Sequence, residues 1–165
     1  MIYNVNPTDN LQEVVNNAEP NSAIILSSGI YHQKFVITTP NLTLTSSTSS
    51  AKDVVIVYDD FAKKLDDCGR EYNTFRTYTV AIATDNVTLS NITIANSNTK
   101  PSVVGQCVAL SVCGSNFVAD NCIFTSTQDT LFCAPLPDDL VIRYLDFLPT
   151  NLNYIEGETV QKYIN

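Results

Sequence analysis

The chain has 165 residues, with 17 acidic against 9 basic side chains, a net charge of −8 and 44% hydrophobic residues. That size and apolar content fit one domain with a core and exclude a disordered acidic tail. No apolar run approaches the roughly 18 residues of a membrane-spanning helix, and the acidity disfavours nucleic acid, whose phosphates need clustered Lys and Arg.

The opening residues, Met1-Ile2-Tyr3-Asn4-Val5-Asn6, lack the basic start and apolar stretch of a secretion signal. The chain is therefore either made for the cytoplasm, which Met1 as the one Met favours, or has had a leader removed. One segment then reads as a helix. Asp9 or Asn10 caps it, Leu11, Val14, Val15 and Ala18 share a face, and Pro20 ends it. Glu13 near its start suits the helix dipole. Short strands follow at Ala23–Leu26, Lys34–Ile37, Leu42–Thr45, Val54–Tyr58, Thr79–Ala83, Val87–Leu89 and Ile92–Ala95. The abundance of Asn (17) and Thr (18) agrees with strands and tight turns.

The strands repeat. The segment from Asp85 to Ile94 aligns with that from Ser115 to Phe124, each reading Asn, four residues, Asn, then a short apolar strand. Asn41-Leu42-Thr43-Leu44 fits more loosely. A period of about 30 residues predicts a solenoid, with an antiparallel sandwich as the alternative. Asn at matching corners tolerates a left-handed backbone, and stacked Asn side chains would hydrogen-bond along the axis. The helix would cap one open end.

Five cysteines occur, Cys68, Cys107, Cys113, Cys122 and Cys133, with no CxxC pair. They are expected to be small buried residues rather than disulfides or metal ligands. Three clusters carry candidate chemistry: Gly29-Ile30-Tyr31-His32-Gln33, Gly105-Gln106-Cys107-Val108-Ala109-Leu110 and Thr127-Gln128-Asp129-Thr130-Leu131-Phe132. Asp129 beside an apolar strand suits a general acid, and the amides of Gln106 and Gln128 suit a developing oxyanion. The competing reading makes Gln128-Asp129 a solvated turn. His32, the one histidine, lies in a turn-like segment and is a poor candidate for a catalytic triad.

Together these segments resemble the N-terminal part of a pectinesterase catalytic domain. Gly29-Ile30-Tyr31-His32-Gln33 is similar to that family's GxYxE, with Gln33 in place of Glu. Thr74-Phe75-Arg76-Thr77-Tyr78-Thr79-Val80 resembles TFxSATV, the Gly105–Leu110 segment resembles GQAVAL, and Gln128-Asp129-Thr130-Leu131 matches QDTL. Asn121-Cys122-Ile123-Phe124 stands where the family has NCxF. The resemblance implies a right-handed parallel β-helix. It also implies hydrolysis of methyl esters of polygalacturonate (pectin), without metal or cofactor. It assigns Asp129 as general acid and then base, Gln128 to the oxyanion, Gln106 to the oxyanion or substrate, and Thr74 to substrate.

The family's nucleophilic Asp, in a DFIFG segment, has no counterpart here, nor has its LGRPW segment. Gln161-Lys162-Tyr163-Ile164-Asn165 resembles the start of the coil that carries the nucleophile. This predicts one truncated β-helix domain over 1–165, inactive alone, with its last coil exposed and prone to self-association. A second alignment, through Ile155-Glu156-Gly157, puts Val160 at the nucleophile position and describes a pseudoenzyme that only binds carbohydrate. The Pro-rich stretch 134–154, with Arg143, is expected to be a loop insertion. A pectate lyase, whose chemistry wants clustered Ca²⁺-binding carboxylates and a basic residue as base, is disfavoured because Lys and Arg are sparse near Gln106 and Gln128.

Overall fold

The computed structural model describes residues 1–133. Within them the chain winds as a right-handed parallel β-helix. Strand β1 (Ile2–Val5) leads into helix α1 (Leu11–Asn17). The first coil is β2 (Ala23–Leu26), β3 (Gly29–His32) and β4 (Phe35–Ile37). The second is β5 (Thr43–Ser46), β6 (Val54–Tyr58) and β7 (Val80–Ile82). The third is β8 (Thr88–Ser90), β9 (Thr93–Asn96) and β10 (Leu110–Val112), and the fourth β11 (Val118–Asp120), β12 (Ile123–Thr125) and β13 (Leu131–Cys133). A 3-10 turn (Thr74–Arg76) and the short helix α2 (Pro101–Val104) lie in the longer connections. Three parallel sheets result, in the orders β1-β2-β5-β8-β11, β3-β6-β9-β12 and β4-β7-β10-β13.

Register follows from burial. Ile24, Leu44 and Leu89 stand in line on the first sheet, and all three are fully buried. Tyr31, Ile56 and Ile94 do the same on the second, and Ile37, Ile82 and Val112 on the third. A one-residue slip would turn each ladder outward, so the inward apolar set fixes the pairing.

The corners are held by Asn. Asn41, Asn86, Asn91, Asn116 and Asn121 all adopt left-handed backbone, with φ between 49° and 59°. The expected stacking is present. The Asn116 amide donates to Asn86 Oδ1 at 3.0 Å, and Asn121 donates to Asn91 Oδ1 at 2.7 Å, each across 30 residues.

Helix α1 closes the first coil. Asn10 caps it by accepting from the Glu13 N–H at 3.2 Å, and Leu11, Val15 and Ala18 are buried against the core. Gln12 then imitates a missing strand. Its amide donates to the Val36 carbonyl (3.0 Å) and accepts from the Val36 N–H (2.9 Å), satisfying the β4 edge.

Some expectations change. Gly29–His32 is a strand rather than a turn, because Tyr31 points into the core while Ile30 and His32 face solvent. Cysteine burial holds for Cys107 alone; Cys113 and Cys122 are half-buried, and Cys68 and Cys133 are exposed. Burial pushes the Cys107, Cys113, Cys122 and Cys133 thiols upward. The loop 134–154, Arg143, the Ile155-Glu156-Gly157 segment, Val160 and the 161–165 segment lie outside the described residues.

Candidate active site

The GIYHQ cluster turns out to build the capped end. A side chain at Gly29 would meet the Pro7 ring at 2.5 Å, and its φ of 152° disfavours other residues. The Tyr31 hydroxyl reaches the carbonyls of Val5 (3.0 Å) and Ser27 (2.8 Å). Burial, reinforced by Asp9, pushes its pKa up to about 12. Gln33 accepts from the Leu11 N–H and donates to the Asp9 carbonyl, both at 2.8 Å. An amide does both, whereas a carboxylate only accepts. Gln33 therefore suits this cap where Glu would leave the Asp9 carbonyl unserved.

The other motifs meet where the second sheet turns into the third. Two long connections leave the solenoid at this corner, residues 59–79 on coil two and 97–109 on coil three. Asn96, 4% exposed, ties them together. Its amide donates to the carbonyls of Asp60 (2.8 Å), Thr77 (3.1 Å) and Val108 (3.4 Å).

A backbone ladder then crosses the corner. The Asn73 N–H donates to the Ala62 carbonyl, the Ala62 N–H to Gln106, and the Cys107 N–H to Gln128, at 2.9, 2.9 and 3.1 Å. This ties the backbone next to Thr74 to that of Gln106 and Gln128. Thr77 reinforces it, accepting from the Val108 N–H (2.9 Å) and donating to the Thr74 carbonyl (2.8 Å). Gly105, at φ 80°, makes the turn into Gln106. Phe75, beside Thr74, meets Phe132 edge-on at 5.4 Å, three residues beyond Asp129.

The Gln128-Asp129 turn is pinned from both sides. Ser126 donates to the Cys107 carbonyl, and Thr127 donates to the Asn98 carbonyl at 2.9 Å. Asp129 itself has φ 54°, in the left-handed region that Gly, Asn and Asp adopt more readily than other residues. Gln106 and Gln128 are half-buried and Asp129 is exposed. Among the described residues, the side chains of Gln106, Gln128 and Asp129 make no hydrogen bond to protein. Two amides beside a carboxylate can donate to an oxyanion and exchange a proton. Also among the described residues, no three of His, Cys, Asp and Glu gather as a metal ion would require.

One cluster beside this surface escaped the sequence reading. Asp60, 2% exposed, contacts the ammonium groups of both Lys34 and Lys64. Lys34 also donates to the Arg76 carbonyl and lies over the rings of Tyr78 (4.5 Å) and Tyr72 (5.4 Å). Arg76 stacks on Tyr72 at 4.3 Å and pairs with Asp66 at 3.1 Å. Burial lowers the Lys34 pKa despite Asp60, and the hydrogen bond to Asp60 raises that of Lys64. The available signal was cation spacing, since five of the nine basic residues are Lys34, Lys63, Lys64, Arg70 and Arg76.

The family profile for Pectinesterase matches residues 5–136. The chain belongs to the pectinesterase family. It is 29% identical over 149 residues to Pectinesterase QRT1 of Arabidopsis thaliana, covering 85% of this chain and 37% of that protein. The fold is that of solved pectin methylesterases. PemA from Erwinia chrysanthemi superposes with a TM-score of 0.73 at 20% identity, over 80% of this chain and 45% of PemA. A pectin methylesterase in complex with a hexasaccharide gives 0.71 at 22% identity, over 76% and 41%. The chain thus spans less than half the length of these pectinesterase relatives.

Proposed function

We propose that this chain supplies the acid/base and oxyanion part of a pectin methylesterase site, and acts on methyl esters of polygalacturonate. Asp129 donates a proton to the departing methanol and later takes one from the attacking water. Gln128 and Gln106 donate to the oxyanion, and Thr74 contacts the sugar. An attacking carboxylate is also required, and the sequence holds no DFIFG segment to carry it. The 165 residues by themselves therefore bind ester without turning it over.

The observation that carries this reading is the rung linking Cys107 to Gln128, which joins two motifs separated by over 20 residues. Family membership supports it, as does the absence of other hydrogen bonds on the three polar side chains among the described residues. The test is ¹⁵N NMR of the chain with fully methyl-esterified oligogalacturonate. The reading expects shifts of the Gln106 and Gln128 side-chain amides and of the Thr74 and Asp129 backbone amides. Shifts confined to other faces of the solenoid would refute it.

A further inference from the structure

One buried side chain joins two of the coils that carry the candidate site. Thr77 is 0% exposed. Its hydroxyl donates to the Thr74 carbonyl at 2.8 Å and accepts from the Val108 N–H at 2.9 Å. A single oxygen therefore bridges the turn that presents Thr74 and the backbone that follows Gln106.

The backbone on either side of Val108 runs to the other neighbour. The Cys107 and Ala109 N–H groups donate to the fourth coil, at the carbonyls of Gln128 (3.1 Å) and Thr130 (3.0 Å). The Val108 N–H between them faces the second coil, where the Thr77 hydroxyl takes the place of a backbone acceptor. Val108 is 2% exposed, so water does not replace that oxygen cheaply. At its other end the Thr74 carbonyl also accepts from the Thr77 N–H at 3.2 Å, closing the 3-10 turn. Loss of the hydroxyl would spare the turn and break the link to the third coil. The tie that remains runs by way of Asn73 and Ala62, two hydrogen bonds of 2.9 Å in series.

The link bears on recognition, a role that rests on the pectin reading above. Thr74 there meets the sugar, while Gln106 and Gln128 meet the ester oxygen. These groups serve one ligand, and ordering them only when it binds costs affinity. The Thr77 hydroxyl orders them beforehand, from beneath, without touching the ligand.

We propose that Thr77 is a positioning residue of the candidate site, whose hydroxyl holds the Thr74 sugar contact in register with the Gln106 and Gln128 oxyanion donors. The role belongs to the oxygen and not to the bulk of the side chain. Valine is close to threonine in shape and lacks the oxygen, whereas serine keeps the oxygen and lacks the methyl group.

The test is titration calorimetry of the full 165-residue chain with fully methyl-esterified oligogalacturonate, for wild type, Thr77→Ser, Thr77→Val and Thr93→Val. Thr93 is the control. Its buried hydroxyl also donates to a backbone carbonyl, that of Ala51 at 2.7 Å, at the opposite end of β9 from Asn96. Urea unfolding checks that each variant folds. Thr77→Val should weaken binding about two- to tenfold, the range for giving up the pre-ordering of one side chain. Thr77→Ser should stay within about twofold of wild type, and Thr93→Val should bind as wild type does although it too loses stability. Hydrogen exchange on wild type needs no variant: opening of the Thr77–Val108 bond disorders the site, so bound ester should slow exchange of the Val108 amide. Thr77→Val binding as tightly as wild type, equal weakening in Thr93→Val or Thr77→Ser, or a Val108 amide indifferent to bound ester would each overturn the positioning role and leave the pectin reading standing. Binding of the oligomer by none of the four proteins would overturn both.

Discussion

Replacing Asn96 by Ala should loosen both connections that carry the candidate site. The Asn96 amide is buried and donates to three carbonyls on the two connections. Val108 keeps a second partner, because its carbonyl also accepts from the Thr79 N–H at 3.2 Å. The carbonyls of Asp60 and Thr77 lose their donors. Leaving a buried acceptor unpaired costs about 1–3 kcal/mol, so two such losses come to about 2–4 kcal/mol once water reaches part of the gap. A domain of this size has total stability of about 5–15 kcal/mol, so the variant should fold with a clearly lower urea midpoint. Hydrogen exchange gives the sharper readout. Amides of Ala62, Asn73, Cys107 and Val108 should exchange faster, while the β2-β5-β8 ladder keeps its relative protection. A loss below about 0.5 kcal/mol, or loosening spread evenly over the solenoid, would refute the role given to Asn96.

Three further outcomes follow from the same structure. Leu44→Ala opens a cavity between Ile24 and Leu89, whose strands are held at fixed spacing, and should cost about 2–5 kcal/mol by urea denaturation; a cost under 1 kcal/mol would mean that the ladder collapses around it. Asn121→Ala should destabilise by about 1–2 kcal/mol from the left-handed backbone alone, and Asn121→Gly by clearly less; equal losses would assign the effect to the side-chain hydrogen bond instead. The Arg70 backbone N–H, aided by Arg76 and the Cys68 N–H, holds the Asp66 carboxyl at about 2 against an ordinary 3.8. Its folded value is depressed, so its contribution is present above pH 3.8 and is lost as the pH falls towards 2. A carboxyl ¹³C titration of Asp66 with a midpoint near 3.8 would contradict the hydrogen bonding described.

The features legible in the sequence were those with local physical causes. A left-handed corner needs Asn or Gly, so the Asn86/Asn116 and Asn91/Asn121 registers announced the coil repeat directly. The capping helix was equally plain, because Asn10 and its apolar face obey rules that need no tertiary partner. Gly29–His32 was misread because two of its four side chains face water and its buried Tyr31 carries a polar tip. At the candidate site, motif order singled out Gln106, Gln128, Asp129 and Thr74, but not what holds them. Lys34 lies 26 residues from Asp60 and 42 from Arg76, and Asn96 lies 36 from Asp60. Only the fold brings such partners together.

The most direct measurement is methanol release from highly methylated pectin by the purified 165-residue chain, beside Asp129→Asn, with oligomer binding followed in the same preparations. The account predicts binding by the unmodified chain and no methanol from either protein. Methanol release that disappears in Asp129→Asn would mean that a carboxylate within these residues serves as the nucleophile, and would contradict the assignment of an acid/base and oxyanion part alone.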